Sequence, residues 1–224
     1  MIPPSAYDLM KEGTAAFATG NANAAALAFA GAQSILVDAA AEMDGSGAGT
    51  TGSLDVEMDG SVGGTPGSLD VAPVSFPVMA PCDDLDYRAV FSVVCHKEHV
   101  SQSDIVLCAA AAKYNLAVSL QVLQGQQRDS LFLYRECLGV LNTLTWNGSY
   151  KAVSSLMVAS LHNMAVILLN NQELQKAGRL VTLAERVLST WSAETQLPLL
   201  DDETKRLFSL LQYFTQSVGM APAA

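Results

Sequence analysis

Between Lys11 and Arg88 the sequence has no basic residue, and only 12 Lys and Arg are spread over its 224 positions. That scarcity excludes binding nucleic acid through a phosphate-neutralising surface, because each phosphate held in that way needs a nearby cation. No nucleic-acid partner is therefore expected. The same stretch collects Asp38, Glu42, Asp44, Asp55, Glu57, Asp59, Asp70, Asp83, Asp84 and Asp86, so most of the net charge of −10 belongs to one segment. A basic or neutral partner is easier to accommodate.

A secretory leader is also missing. "MIPPSAYDLMKEG" has neither a basic n-region nor an apolar h-region, so an intracellular chain, cytoplasmic or nuclear, is expected. Its four cysteines, Cys82, Cys95, Cys108 and Cys137, then read as reduced thiols, the last two packed in helices as small hydrophobes. Missing too are a G-x-x-x-x-G-K-[ST] loop, a G-x-G-x-x-G after a strand, a G-x-S-x-G and an H-E-x-x-H. Catalysis is not expected, and no cofactor. Cys82, Cys95, His96 and His99 are the one metal-like group, but they lack the paired C-x-x-C spacing that marks zinc. No metal site is assigned there. A Cys95/His96 nucleophile pair is the most distant of the functional readings, since no orienting carboxylate or oxyanion donor accompanies it. "NGS" at Asn147 reads as a turn between helices rather than a glycosylation site.

One uncharged run, residues 152–169, approaches the length that spans a bilayer. Ser154, Ser155, Ser160, His162 and Asn163 interrupt it, so it reads as a buried helix, and no membrane partner is expected.

What the sequence does contain is a local duplication and a helical period. "EMDGSGAGTTGSLDV" at 42–56 is followed by "EMDGSVGGTPGSLDV" at 57–71, with twelve of fifteen positions identical. Gly, Ser, Thr and Asp without an aromatic residue cannot offset their own ordering entropy. Residues 42–83 are accordingly expected to form a disordered acidic linker, with Leu54, Val56, Leu69, Val71 and Phe76 as apolar anchors if it recruits a partner.

On either side of the linker the apolar period is helical. Residues 5–19 and 22–39 form an Ala-rich pair split at "TGNAN", with Gly20 suited to the left-handed C-terminal position and Asn21 or Asn23 to a cap. Residues 85–94 are ambiguous between helix and strand and lean to helix from their surroundings. Then come "SQSDIVLCAAAAKYNLAVSLQVLQ", a segment that Asp129 can cap, a turn at "TWNGSY", a helix over 151–171, "LQKAGRLVTLAERVLSTW" and a last amphipathic segment with Leu207, Leu210, Leu211, Phe214 and Val218. This makes seven or eight helices with no convincing sheet, an all-α array of antiparallel hairpins. Residues 1–41 form the first hairpin. Residues 84–219 add two more hairpins and a C-terminal capping helix, in one domain with the first.

The tetratricopeptide pattern of small and large residues can be laid on three places. Leu9, Glu12, Gly13 and Ala16, with Phe17 beside them, precede Ala25, Phe29 and Ala32; Leu161, Met164, Ala165 and Leu168 precede Ala177, Val181 and Ala184; Leu116, Ala117 and Leu120 precede Ser130, Tyr134 and Cys137 after one extra turn residue. Asn115 and Asn163 share a slot. The chain thus resembles a degenerate tetratricopeptide-like protein, similar to the small proteins of that kind in diatoms and related algae. Its copies depart from the family in spacing, with 48 residues from Ala117 to Ala165 where 34 are usual.

The resemblance implies hairpins packed through Gly13, Phe17, Ala25, Phe29, Ala32, Ala117, Tyr134, Ala165, Ala177 and Ala184. It also implies a groove lined by first helices that binds a partner peptide or helix. Asn115 and Asn163 are then the groove candidates, either bonding a peptide backbone or tying adjacent helices together. Chaperone C-terminal tails are not expected, because the carboxylate-gripping positions read Met10, Thr14, Ala159 and Asn163, with only Asn115 retained. The leading functional expectation is a non-catalytic protein-protein interaction module, a scaffold or adaptor. A regulatory subunit recruiting through its acidic linker is the alternative. The C-terminal helix could also mediate self-association.

Overall fold

The computed structural model describes residues 2–45, 69–74, 87–95, 101–123, 126–144, 150–194, and 205–213 except 208 and 211. In chain order the elements are α1 (Pro4–Ala18), α2 (Ala22–Gly45), β1 (Leu69–Val74), β2 (Val90–Cys95), α3 (Gln102–Val122), α4 (Gln127–Leu141), α5 (Tyr150–Asn170) and α6 (Leu174–Glu194). Residues 205–213 are helical where described. The fold is all-α, an array of three hairpins, α1–α2, α3–α4 and α5–α6, with a small sheet added.

Local sequence explains the hairpin turns. At the end of α1, the Gly20 N–H donates to the Phe17 carbonyl at 3.0 Å and the Asn21 N–H to the Ala16 carbonyl at 2.9 Å, with Gly20 left-handed at φ +79°. This is a Schellman ending, and glycine adopts its φ without strain. The Asn21 side chain then accepts from the Ala24 N–H at 3.1 Å and starts α2. The end of α5 repeats the arrangement: the Gln172 N–H reaches the Leu169 carbonyl at 2.9 Å and the Glu173 N–H the Leu168 carbonyl at 2.8 Å, with Gln172 at φ +62°. Both turns have three residues, whereas the α3–α4 turn, residues 123–126, has four.

The small residues at matching places let the helices approach. Ala25, Phe29, Ala32 and Leu36 of α2 correspond to Ala177, Val181, Ala184 and Leu188 of α6 and to Ser130, Tyr134, Cys137 and Leu141 of α4, and all twelve are buried. Gly13 faces Phe29 so closely that a Cβ there would lie 2.6 Å from the ring. Phe17, Ala117 and Ala165 complete the buried seams.

Two boundaries differ from expectation. α2 continues to Gly45, so residues 42–45 are helical rather than linker. Asp129 sits in the first turn of α4, whose N-cap is Gln126 with no side-chain bond, so Asp129 is not the cap. The helix α3, by contrast, begins with a reciprocal box in which the Ser101 hydroxyl accepts from the Asp104 N–H and Asp104 accepts from the Ser101 N–H.

The larger correction concerns residues 69–95. The expected absence of a sheet and the lean towards helix at 85–94 are both overturned, because β1 and β2 pair antiparallel from Leu69↔Cys95 to Val74↔Val90. The segment expected as linker therefore supplies a strand at 69–74, while the rest of 46–83 lies outside the described residues. The physical reason is a period of two. Tyr87, Ala89, Phe91 and Val93 are buried while Arg88 and Ser92 are half-buried and Val94 is exposed; Val90, the exception on the other face, is buried as well. The hairpin of strands packs mainly on α1, α3 and α5, the first helix of each helical hairpin.

Among the described residues, three helices are long and apolar enough to cross a membrane by composition, over Ala22–Met43, Gln102–Val122 and Lys151–Asn170. For the last two that character serves burial, since 72% and 94% of their apolar windows lie inside the protein; for the first the share is 33%.

Gly13→Ala must push the added methyl into Phe29. Urea unfolding should show a loss of about 1–3 kcal/mol, the usual cost of overpacking. At Gly20, open space surrounds the missing Cβ, so Gly20→Ala should cost about 1–2 kcal/mol, through its left-handed φ alone.

Candidate functional site

Asparagine is the side chain that matches one residue of extended backbone, offering a carbonyl acceptor beside an amide donor. Two of them do so here. The Phe91 N–H donates to Asn115 Oδ1 at 2.7 Å and Asn115 Nδ2 donates to the Phe91 carbonyl at 2.9 Å. The Tyr87 N–H donates to Asn163 Oδ1 at 3.2 Å and Asn163 Nδ2 donates to the Tyr87 carbonyl at 2.9 Å. Both asparagines are fully buried.

Their placement follows from the repeat. Asn115 on α3 and Asn163 on α5 stand two residues before Ala117 and Ala165, the equivalent close-packing positions. Tyr87 and Phe91 stand four positions apart, a span of about 13 Å in extended chain, enough to cross from one first helix to the next. Residues four apart in a strand also present the same backbone edge, which is why both clamps can hold one segment from one side.

The opposite edge belongs to β1. Because Phe91 gives both backbone groups to Asn115, its pairing with Pro73 falls at a non-hydrogen-bonded position of the ladder, where proline's missing N–H costs nothing. The ladder bonds fall on Val90, Ser92 and Val94, and the Ser92 hydroxyl adds a bond to the Ala72 carbonyl at 3.3 Å. Residues 87–95 are thus a strap held between two asparagines and a strand.

Under the strap lies a buried aromatic and polar cluster. Phe91 meets Tyr114 edge to face with ring centroids 5.1 Å apart, and Tyr114 meets Tyr134 at 5.5 Å. Asn163 Nδ2 lies 3.1 Å from both the Tyr114 and the Tyr134 hydroxyls, so its two hydrogens are shared among three oxygens. Tyr134 in turn donates to Gln121 Oε1 at 2.7 Å. Burial, then the neighbouring Tyr134, holds the Tyr114 hydroxyl well above the usual tyrosine range, with the Asn163 bond acting in the opposite direction.

The sequence expectations meet this site unevenly. Asn115 and Asn163 occupy the same slot, but neither is open to a partner, because the chain's own Phe91 and Tyr87 already occupy both. They join strand to helix rather than helix to helix. Tyr87 and Phe91 were not foreseen as their counterparts. The alternation of Tyr87, Ala89, Phe91 and Val93 was the available signal. Cys82, His96 and His99 lie outside the described residues, as does the Cys95 side chain. Among the described residues no group of His, Cys, Asp or Glu is arranged to hold a metal.

Cys108 and Cys137 are buried, and neither is in a disulfide. The Cys137 thiol donates to the Ala110 carbonyl at 3.4 Å and accepts from the Ser160 hydroxyl at 3.7 Å. Burial pushes it up to about 12, against the opposing pull of Ser160 and Lys113. It therefore stays a thiol, and a thiol is a poor nucleophile. Leu207 of the C-terminal helical segment is buried while Tyr213 is exposed.

Three outcomes are expected. Asn115→Ala strands two buried backbone groups of Phe91, and equilibrium unfolding should record about 1–3 kcal/mol for each group left unpaired. Cys137 should resist a thiol reagent until the protein unfolds, as followed by the reaction rate against urea. The folded chain keeps protons on Cys137 and Tyr114 where the unfolded chain has begun to lose them, so stability is complete below the unfolded thiol's value near 9 and falls towards about 12. Urea midpoints measured through that range check the sign, and Cys137→Ala should flatten part of the slope.

Compared with protein-family profiles, with curated proteins and with solved structures, the chain matches none, so the meaning of this site rests on its own geometry.

Proposed function

We propose that this chain is a non-catalytic protein-protein interaction module of tetratricopeptide-like design, working in the cytoplasm as a scaffold or adaptor. Its binding surface is the face formed by α1, α3 and α5, and its ligand is an extended segment of a partner protein. The observation that carries this reading is the pair of asparagines on α3 and α5, each engaging both backbone groups of one extended residue. Such contacts recognise a chain by its backbone and leave selectivity to the flanking apolar sites.

Affinity capture with mass spectrometry tests the reading, comparing the intact chain, a deletion of 46–68 that spares α2 and β1, and an Asn115→Ala, Asn163→Ala double variant. Each is used at a temperature where its helical circular dichroism is intact. Partners kept by the deletion and lost by the double variant support the module. Partners lost only with 46–68 would transfer the recruiting role to the acidic segment.

A further inference from the structure

The strap poses a physical question, because a site suited to an extended peptide is filled by the chain itself. We infer that residues 87–95 are a tethered occupant of a peptide site, and that the partner's segment replaces them by presenting bulky apolar side chains four residues apart, as Tyr87 and Phe91 do. This rests on the interaction-module reading and specifies its ligand.

Four observations support the exchange. First, the helices pack in an unbroken series, α1 on α2, α2 on α3, α3 on α4, α4 on α5 and α5 on α6, so the array does not need the strap to hold its helices together. Second, all four clamp bonds go to the strap's backbone, so any extended segment in the same register can accept them. Third, Asn163 Nδ2 has the Tyr114 and Tyr134 hydroxyls 3.1 Å away, acceptors that remain when the Tyr87 carbonyl departs. Fourth, selectivity has a physical basis. Tyr87 and Phe91 are 1% and 0% exposed, and Phe91 sits against the Tyr114 ring, so an incoming chain needs large apolar groups at those two places. Pairing with β1 is equally transferable, since it too is made through backbone groups.

The tether sets the threshold. A segment attached to its own site competes at an effective concentration in roughly the millimolar range, so an untethered copy of the same sequence is largely excluded from the intact chain. Weakening the strap removes that competition without touching the clamps.

The test uses a fluorescent peptide with the sequence of residues 84–95, Cys95 replaced by Ser, titrated into the full chain and into its Tyr87→Ala, Phe91→Ala variant. The variant should keep its helical circular dichroism and bind the peptide at least about tenfold more tightly than the parent, as expected when a tethered competitor is lost. Adding Asn115→Ala and Asn163→Ala should abolish that gain. A helical variant that takes up no peptide, or one whose uptake ignores both asparagines, overturns the inference. If the strap substitutions unfold the helices, amide exchange in the unaltered chain decides. Exchange of Tyr87 and Phe91 through an opening with weaker urea dependence than that of α3 and α5 supports a releasable strap, and exchange only with global unfolding refutes it. The module reading fails separately, if capture by the intact chain is insensitive to the asparagines.

Discussion

A backbone N–H or C=O withdrawn from water must find a partner, and a strand laid across helices meets this constraint in its hardest form. One edge of the strap pairs with β1 in the ordinary way. Its other edge faces helices, whose own backbone groups are already committed. A side chain with one donor and one acceptor at the right separation is then needed at each contact, and Asn115 and Asn163 supply it. Without them, burial of Tyr87, Ala89, Val90 and Phe91 would compete with unpaired backbone at two places.

The helical array makes the clamps coincide. Successive first helices carry their asparagine at the same height because the close-packing residues recur: Ala117 follows Asn115 as Ala165 follows Asn163. The extra residue between α3 and α4 leaves Ser130, Tyr134 and Cys137 in the buried positions taken elsewhere by alanine, valine or phenylalanine. Larger side chains in that middle hairpin bring the Tyr134 hydroxyl within reach of Asn163 and Gln121, so packing and polar satisfaction meet at one point.

The helices were legible in the sequence because each level of information agreed. Periodicity, Gly20 at a left-handed turn and the small residues facing large ones all pointed to hairpins, and Gly13 over Phe29 is their clearest contact. The strap was not legible in the same way. Its alternation is short, its neighbours are helical, and β1 starts in the last three residues of a duplicated Gly- and Asp-rich stretch whose composition opposes strand formation. Tertiary contacts decide both strands. The shared slot of Asn115 and Asn163 could be read from spacing, but spacing is silent on which chain fills it. Only the position of Tyr87 and Phe91 resolves that question.

Scalar couplings across hydrogen bonds, measured by nuclear magnetic resonance on the isotopically labelled intact chain, test the central claim most directly. The account predicts couplings from the Phe91 amide nitrogen to the Asn115 side-chain carbonyl carbon and from the Tyr87 amide nitrogen to that of Asn163. Well-dispersed helical signals with neither coupling, and with both amides exchanging as freely as solvent-exposed ones, would contradict it.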